Sequence, residues 1–246
     1  MIKFENLTKI YHGLRAVDNI NLMVPQGTVF GFIGPNGAGK TTTIKMMVGV
    51  LRPTIGNIFI NGMDISREPT KIKRVIGFIP DRPFLYEKLS GLEFLKFKAG
   101  LYRVSRNGID AKISKLLDIF ELSDWENELI ESYSHGMKQR LIIAAAIMHD
   151  PKVIVADEPM VGLDPKGAKL VKKIFVGRAG KGATVFMSTH TLSLAQEICE
   201  RIAIVNNGRI LACGTYEDLK RQAGTEESLE SIFLKLTGGD EACEGI

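Results

Sequence analysis

The sequence predicts an α/β fold, with a mainly parallel sheet, helices on its faces and a helical subdomain inserted into it. Two observations carry this expectation. From Lys152 onward short apolar strands alternate with helical segments, the pattern that a parallel sheet with crossover helices leaves in a sequence. Between Ser90 and about Asp124, apolar residues recur at intervals of three and four with almost no strand signal, which marks a helical insertion.

The elements follow in chain order. Residues 17–24 alternate apolar and polar and residues 28–33 form a short apolar run, so the N-terminal part reads as strands. The stretch from Gly39 to Val50 reads as a helix, with Gly49 and Pro53 at its end. Asn57–Asn61 and Val75–Ile79 read as short strands, followed by a loop punctuated by Pro80 and Pro83. The helical region then uses Leu92, Phe94, Leu95, Phe97, Ile109, Ile113, Leu116, Leu117 and Phe120 as its apolar positions. Beyond it come a strand at Lys152–Ala156, a helix after Pro165 and a strand at Thr184–Met187. A helix near Leu192–Cys199 and a strand at Ile202–Val205 follow. A short helix over Leu229–Leu236 and a frayed end close the chain.

Composition removes several classes of function. With 246 residues, 45% hydrophobic and 24% charged, the chain buries a sizeable core and reads as globular. Its 32 basic and 28 acidic residues are interspersed rather than massed in an arm, so no nucleic-acid partner is expected. The longest uncharged apolar run, Leu141–Met148, is far short of the roughly 18–20 residues that cross a bilayer. Met1–Glu5 lacks the charged-then-apolar order of a signal peptide, so a cytoplasmic location is expected. Cys199, Cys213 and Cys243 form neither a metal pair nor an even disulfide set, and the four histidines show no metal-ligand spacing.

Chemistry enters at Gly34-Pro35-Asn36-Gly37-Ala38-Gly39-Lys40-Thr41, which fits GxxxxGK[ST] between an apolar strand and a helix. Glycines let the backbone fold around a phosphate, so that successive N–H groups and the helix N-terminus face the anion. Lys40 is positioned to reach the terminal phosphates and the Thr41 hydroxyl to ligate Mg²⁺. By itself this loop leaves kinase, GTPase, helicase and transporter ATPase open.

Two further segments narrow the class. Lys152-Val-Ile-Val-Ala-Asp157-Glu158 is an apolar strand ending in two carboxylates. Asp157 is suited to hold Mg²⁺ through its water shell and Glu158 to poise an attacking water. Tyr133-Ser134-His135-Gly136-Met137-Lys138-Gln139-Arg140 opens the apolar run at Leu141. Ser134 is a good N-cap and Gly136 permits close approach of backbone to an anion, so both a plain helix cap and a second phosphate-binding helix end fit.

Taken in order, these motifs resemble an ABC-type ATPase over about residues 1–220. Gly34 to Thr41, with Thr42, resembles Walker A, Ser134 to Gln139 the family signature, and Val153 to Glu158 Walker B. Tyr11 sits where the family has an aromatic that stacks on adenine, Gly162-Leu163-Asp164 resembles the D-loop, and His190 the switch histidine. The resemblance implies a P-loop NTPase core, an N-terminal antiparallel β subdomain, a helical subdomain over about 84–150 and a helical tail over 221–246.

It also implies ATP and Mg²⁺ as ligands, with Glu158 polarising the attacking water, His190 holding the γ-phosphate and Asp164 linking two sites. Two copies, or a pseudo-dimer with a related subunit, would share each ATP between one Walker A and the partner's Ser134 and Gly136. An integral-membrane permease is the implied partner, which places the chain at the cytoplasmic face of the membrane.

Two departures from the family pattern stand out. The signature carries Tyr133, His135 and Met137 where LSGGQ has Leu, Gly and Gln, yet keeps Ser134 and Gly136. Asp81 stands where the family has a glutamine, and an ionised carboxylate only accepts hydrogen bonds, although it too can hold Mg²⁺ or its water. Both departures resemble the branch that partners efflux-type permeases, as does Ser228–Thr237. An importer subunit and a non-transport ABC ATPase acting in DNA repair or translation are the alternative readings. The second usually carries a coiled-coil insertion, zinc cysteines or tandem cores, and this sequence has none of them. The Asn-Lys-x-Asp base-reading motif of a GTPase is also missing.

Overall fold

The computed structural model describes residues 1–224 and 228–238; the expected frayed end and Cys243 lie outside the described residues. Two sheets organise it. An antiparallel sheet of order β2-β1-β4-β5 is built from β1 (Ile2–Tyr11), β2 (Leu14–Val24), β4 (Ile55–Ile60) and β5 (Met63–Asp64). A six-stranded sheet has the order β10-β9-β3-β8-β7-β6. It is built from β3 (Val29–Ile33), β6 (Ile76–Ile79), β7 (Val153–Asp157), β8 (Thr184–Thr189), β9 (Arg201–Asn206) and β10 (Arg209–Gly214). Every pairing in it is parallel except β9 with β10, which form a terminal hairpin.

The central strands are mainly apolar because they are covered on both faces: all residues of β3, β7 and β8 are buried. The two sheets meet through aromatic rings. Phe186 of β8 stacks on its register partner Phe30 at 5.7 Å and meets Phe4 of the antiparallel sheet edge-on at 6.1 Å. The same apolar layer takes in α1 (Lys40–Met47) through Ile44, Met46 and Met47.

On the opposite face a second core gathers α3 (Gly91–Leu101), α4 (Ile109–Ile119), α5 (His135–Ile147) and α6 (Pro165–Ala179). The insertion between β6 and α5 is helical, as the periodicity predicts. Phe94, Leu95, Ile113, Leu116, Leu117 and Phe120 are buried, whereas Phe97 is turned out and packs edge-on against Tyr86 at 5.4 Å. Ser90 and Glu93 form a capping box that starts α3. The helix read from Gly39 to Val50 is shorter, Lys40–Met47.

Among the strands and α-helices of the described residues, five escape the sequence reading: β1, β5, β10, α2 (Pro69–Val75) and α8 (Tyr216–Ala223). Asn6 at φ 47 and several register shifts against β2 break the alternation of β1. The helix α8 runs through residues 220 and 221, where the sequence suggests that a tail begins. After it, α9 (Leu229–Thr237) buries Leu229 and Ile232 beside α7 (Leu192–Ile198).

Candidate nucleotide site

Four parallel strands, β3, β8, β7 and β6, end side by side, and the loops that leave their C-terminal ends build one cleft. It has a volume of about 440 Å³ and is lined by Ala16, Asn36 to Thr42, Asp81, Asp157, Glu158, Val161 and His190. A crevice at the carboxyl ends of parallel strands is where open α/β sheets bind ligands.

The loop from β3 to α1 forms one wall. Gly39 adopts φ 99, and a Cβ there would come within 2.4 Å of the Ala16 carbonyl oxygen, so only glycine fits where the helix begins. Lys40, 7% exposed, donates from Nζ to the Gly34 carbonyl at 2.7 Å and the Pro35 carbonyl at 3.1 Å. Burial holds its ammonium below the usual lysine range, and the charges of Glu158 and Asp157 pull it back up. An ammonium kept this way is a desolvated point charge beside the amides of the loop.

The opposite wall comes from β7 and β8. Asp157, 3% exposed, accepts a hydrogen bond from the Ser188 hydroxyl of its register partner. The next residue leaves the strand abruptly. Glu158 sits at φ 49, a left-handed conformation that costs an L-residue about 1–2 kcal/mol. Its N–H donates to the Ser188 carbonyl at 3.2 Å, which fixes the turn. The carboxylate so placed meets His190, whose Nδ1 lies 2.8 Å from Glu158 Oε1. With Nδ1–H donating to the carboxylate, Nε2 of His190 is left to serve a second group.

Of the residues singled out in the sequence, the cleft therefore unites Asn36, Gly37, Ala38, Gly39, Lys40, Thr41, Thr42, Asp81, Asp157, Glu158 and His190. Gly34 and Pro35 close the same loop from behind through their carbonyls. Tyr11, Ser134, Gly136 and Asp164 do not line it. Tyr11 ends β1, 40% exposed, with Lys9 Nζ 5.2 Å from its ring centroid. Ser134 caps α5 by accepting from the Met137 N–H at 3.3 Å, and Asp164 caps α6 by accepting from the Gly167 N–H at 2.9 Å.

These two caps are neighbours. A Cβ on Gly162 would lie 2.0 Å from His135 Nδ1, and one on Gly136 would lie 3.1 Å from the Gly162 carbonyl oxygen. The signature turn thus packs on the segment that follows Glu158, and His135 fills the space that glycine leaves at position 162.

Sequence reading overlooked Ser188, Ala16 and Val161. Ser188 had a signal, a hydroxyl inside an otherwise apolar strand just ahead of Thr189 and His190; Ala16 and Val161 are brought in by the fold alone. The donor set suits a hard cation: a Thr41 hydroxyl and the carboxylates of Asp157 and Asp81 are all oxygen ligands facing a phosphate loop. No cluster of three or more His, Cys, Asp or Glu that could hold a metal unaided occurs among the described residues. Mg²⁺ itself binds through one or two carboxylates together with phosphate oxygens and water.

The comparisons with known proteins agree with this geometry. The family model described as ABC transporter matches residues 17–161. The probable multidrug ABC transporter ATP-binding protein YbhF of Escherichia coli (strain K12) is 35% identical over 240 residues, 96% of this chain and 41% of that protein. The chain thus spans less than half the length of that relative. A solved ATP-binding subunit of an ABC transporter superposes with a TM-score of 0.92 at 33% identity, over 96% of this chain and 99% of that one. The ATP-binding cassette MJ0796, solved as a dimer in a post-hydrolysis state with ADP and Pi, matches with a TM-score of 0.77 at 29% identity. That match spans 87% of this chain and 98% of that one. With the glycine-rich loop, the Asp157–Glu158 pair and His190 in one cleft, and with these likenesses along its length, the chain belongs to the ABC transporter family as an ATP-binding cassette.

Proposed function

We propose that this cassette hydrolyses ATP to drive export of a substrate through a separate membrane-embedded permease. The observation that carries the catalytic part is the Glu158–His190 pair at 2.8 Å, set in the same cleft as Lys40 and Asp157. In this reading the loop amides and Lys40 neutralise the β- and γ-phosphates. Thr41 and Asp157 hold Mg²⁺, with Asp81 as the third oxygen ligand; the cation offsets charge on the transferring phosphoryl group. Glu158 takes the proton of the attacking water, and His190 Nε2 is the group turned to the γ-phosphate. Pro35 and Thr42 complete the loop, and Tyr11 stacks on the adenine.

Ser134 and Gly136 stay outside the cleft of their own chain, which suits a second copy of the cassette whose nucleotide they close, with Asp164 between the two sites. The cassette MJ0796, solved as a dimer with ADP and Pi, gives dimerisation itself a precedent. Residues 1–220 make up the cassette, the helices within about 84–150 dock the permease, and 221–246 form the tail. In this reading the membrane-spanning part is the permease, and the cassette sits at its cytoplasmic face; no described helix of this chain is long and apolar enough to cross a membrane. Export rather than import rests on the likeness to a multidrug transporter's ATP-binding protein.

The test is Glu158→Gln in the purified chain. The amide keeps the shape but cannot accept a proton, so turnover is expected to fall by about 10²–10⁴-fold with ATP binding intact and an ATP-dependent dimer accumulating on size exclusion. Near-normal turnover overturns the assignment. For the partner, the polypeptide that co-purifies with the cassette from detergent-solubilised membranes is expected to be a permease; recovery of a ribosome or DNA complex instead overturns it.

A further inference from the structure

Gln139 is a polar side chain in the first half of α5, a helix whose later part is wholly buried. It is 0% exposed, and the run from Leu141 to Met148 that follows it is buried throughout. Only half of its amide is used. Nε2 donates to the Pro159 carbonyl at 3.1 Å, while the buried Oε1 finds no hydrogen-bond partner among the described residues. Burying an unpaired carbonyl costs free energy that a leucine or methionine of similar volume avoids. Core packing alone therefore does not account for a glutamine here.

The bond it does make lands on the residue beside Glu158. Pro159 has no N–H, so its carbonyl is its only backbone hydrogen-bonding group, and no backbone N–H among the described residues donates to it. Glu158 itself holds a left-handed backbone at φ 49, kept by its N–H on Ser188 and by its carbonyl, which accepts from the Val161 N–H at 3.2 Å. Such conformations persist only where the surroundings over-determine them. Gln139 supplies the outside constraint, from a helix rooted in the core that gathers the inserted helices. The same helix opens with Ser134, His135 and Gly136, and His135 already packs on Gly162 at the far end of this segment.

We propose that Gln139 is a positioning residue for Glu158: its amide locks the Glu158–Pro159 backbone to the signature helix and so aims the Glu158 carboxylate at the cleft. The bond makes Ser134, Gly136 and Glu158 parts of one rigid body within a chain, so that whatever engages the signature turn also sets the carboxylate serving that chain's own nucleotide. This rests on the reading of Glu158 as the group that accepts the water proton.

The test uses the full chain with Gln139→Met and Gln139→Glu, following ATP hydrolysis against ATP concentration and pH. Gln139→Met removes the donor and the orphan carbonyl at nearly constant volume. Its kcat is expected to fall about 10- to 100-fold, as misplacement of a catalytic group does, with KM for ATP within about twofold and thermal stability little changed, since losing the orphan carbonyl is offset by the Pro159 carbonyl that loses its donor. Gln139→Glu gives the sharper readout. A protonated carboxyl donates to the Pro159 carbonyl and a carboxylate does not, so its kcat relative to the parent is expected to be greatest at acid pH and to drop as pH rises. The methionine variant shows no such inflection.

Parental kcat in Gln139→Met overturns the proposal. So does a pH-independent ratio in Gln139→Glu, which decides the matter if the methionine variant does not fold. Glu158→Gln run in parallel separates the two ideas: an active Glu158→Gln defeats the reading of Glu158, whereas an inactive one beside a normal Gln139→Met defeats the positioning role alone.

Discussion

His190 Nδ1 lies 2.8 Å from Glu158 Oε1, across 32 residues of sequence. The carboxylate is the more enclosed partner, with 14% of its side chain exposed against 59% for the histidine. Groups joined in this way act as a unit, and their removal is not additive. We expect His190→Ala to cut turnover strongly with ATP binding retained, and Glu158→Gln/His190→Ala to be scarcely slower than the worse single variant. Single-turnover ATP hydrolysis on all three proteins measures this. Additive losses would mean that the two side chains serve separate steps.

Ser134 separates a structural role from a functional one. Its hydroxyl caps α5, so Ser134→Ala is expected to lose about 1 kcal/mol of stability. Aspartate also caps helices well and suits the positive end of the helix, so Ser134→Asp is expected to keep that stability. If this turn closes on the nucleotide of a second copy, the added carboxylate opposes the γ-phosphate, and ATP-dependent dimerisation and turnover are lost while thermal stability is held. Retained turnover in a stable Ser134→Asp protein would reduce Ser134 to a helix cap.

What the sequence revealed divides by range. The phosphate loop was legible because its demands are local: Gly39 must take φ 99 within a few residues of Lys40. The insertion's helices were legible because Ile113, Leu116, Leu117 and Phe120 bury one face at helical spacing. The strand β1 was hidden by irregular pairing, since its alternation resets at Asn6. The helix α8 does leave a local signal, Thr215 capping three residues ahead of Asp218. Gln139 on Pro159 and Ser188 on Asp157 join residues 20 and 31 positions apart, and no spacing rule announces them. The acid pair could be read as chemistry, but its left-handed turn and its histidine come from the sheet that brings β7 beside β8.

His149 gives the fold a pH dependence away from the cleft. It follows α5, stacks on Tyr102 with ring centroids 3.7 Å apart and places Nε2 3.0 Å from the Ile76 carbonyl, joining the inserted helices to strand β6. Burial is the main cause that holds its pKa down to about 4, the Ile76 carbonyl works against it, and the nearby Lys98 adds to the lowering. Below its ordinary value of 6.5 the unfolded chain binds a proton that the folded chain resists, so stability rises with pH across this window. The contribution is complete above about pH 6.5 and disappears as pH falls toward 4. Urea midpoints are expected to drop on acidification through this range, and His149→Phe, which keeps a ring on Tyr102, is expected to flatten that part of the curve. An unchanged slope in the variant would assign the dependence to other groups.

Phe186 is where the two sheets interlock, and it offers the cleanest stability test. The ring is 0% exposed and touches Phe4, Phe30 and Phe32, so it serves the antiparallel sheet and two strands of the parallel one at once. Truncation leaves a cavity that flanking strands cannot close without shifting their register. Phe186→Ala is expected to lose about 3–5 kcal/mol of unfolding free energy, whereas Phe186→Leu, which refills most of the space, loses less. Two residues further on, Ser188 hydrogen-bonds to Asp157 and its carbonyl accepts from Glu158. Those bonds cross from β8 to β7 and do not involve the ring, so nucleotide affinity measured well below the unfolding midpoint is expected to survive in Phe186→Leu. Loss of affinity in a folded Phe186→Leu protein would show that the aromatic contact sets the cleft as well as the core.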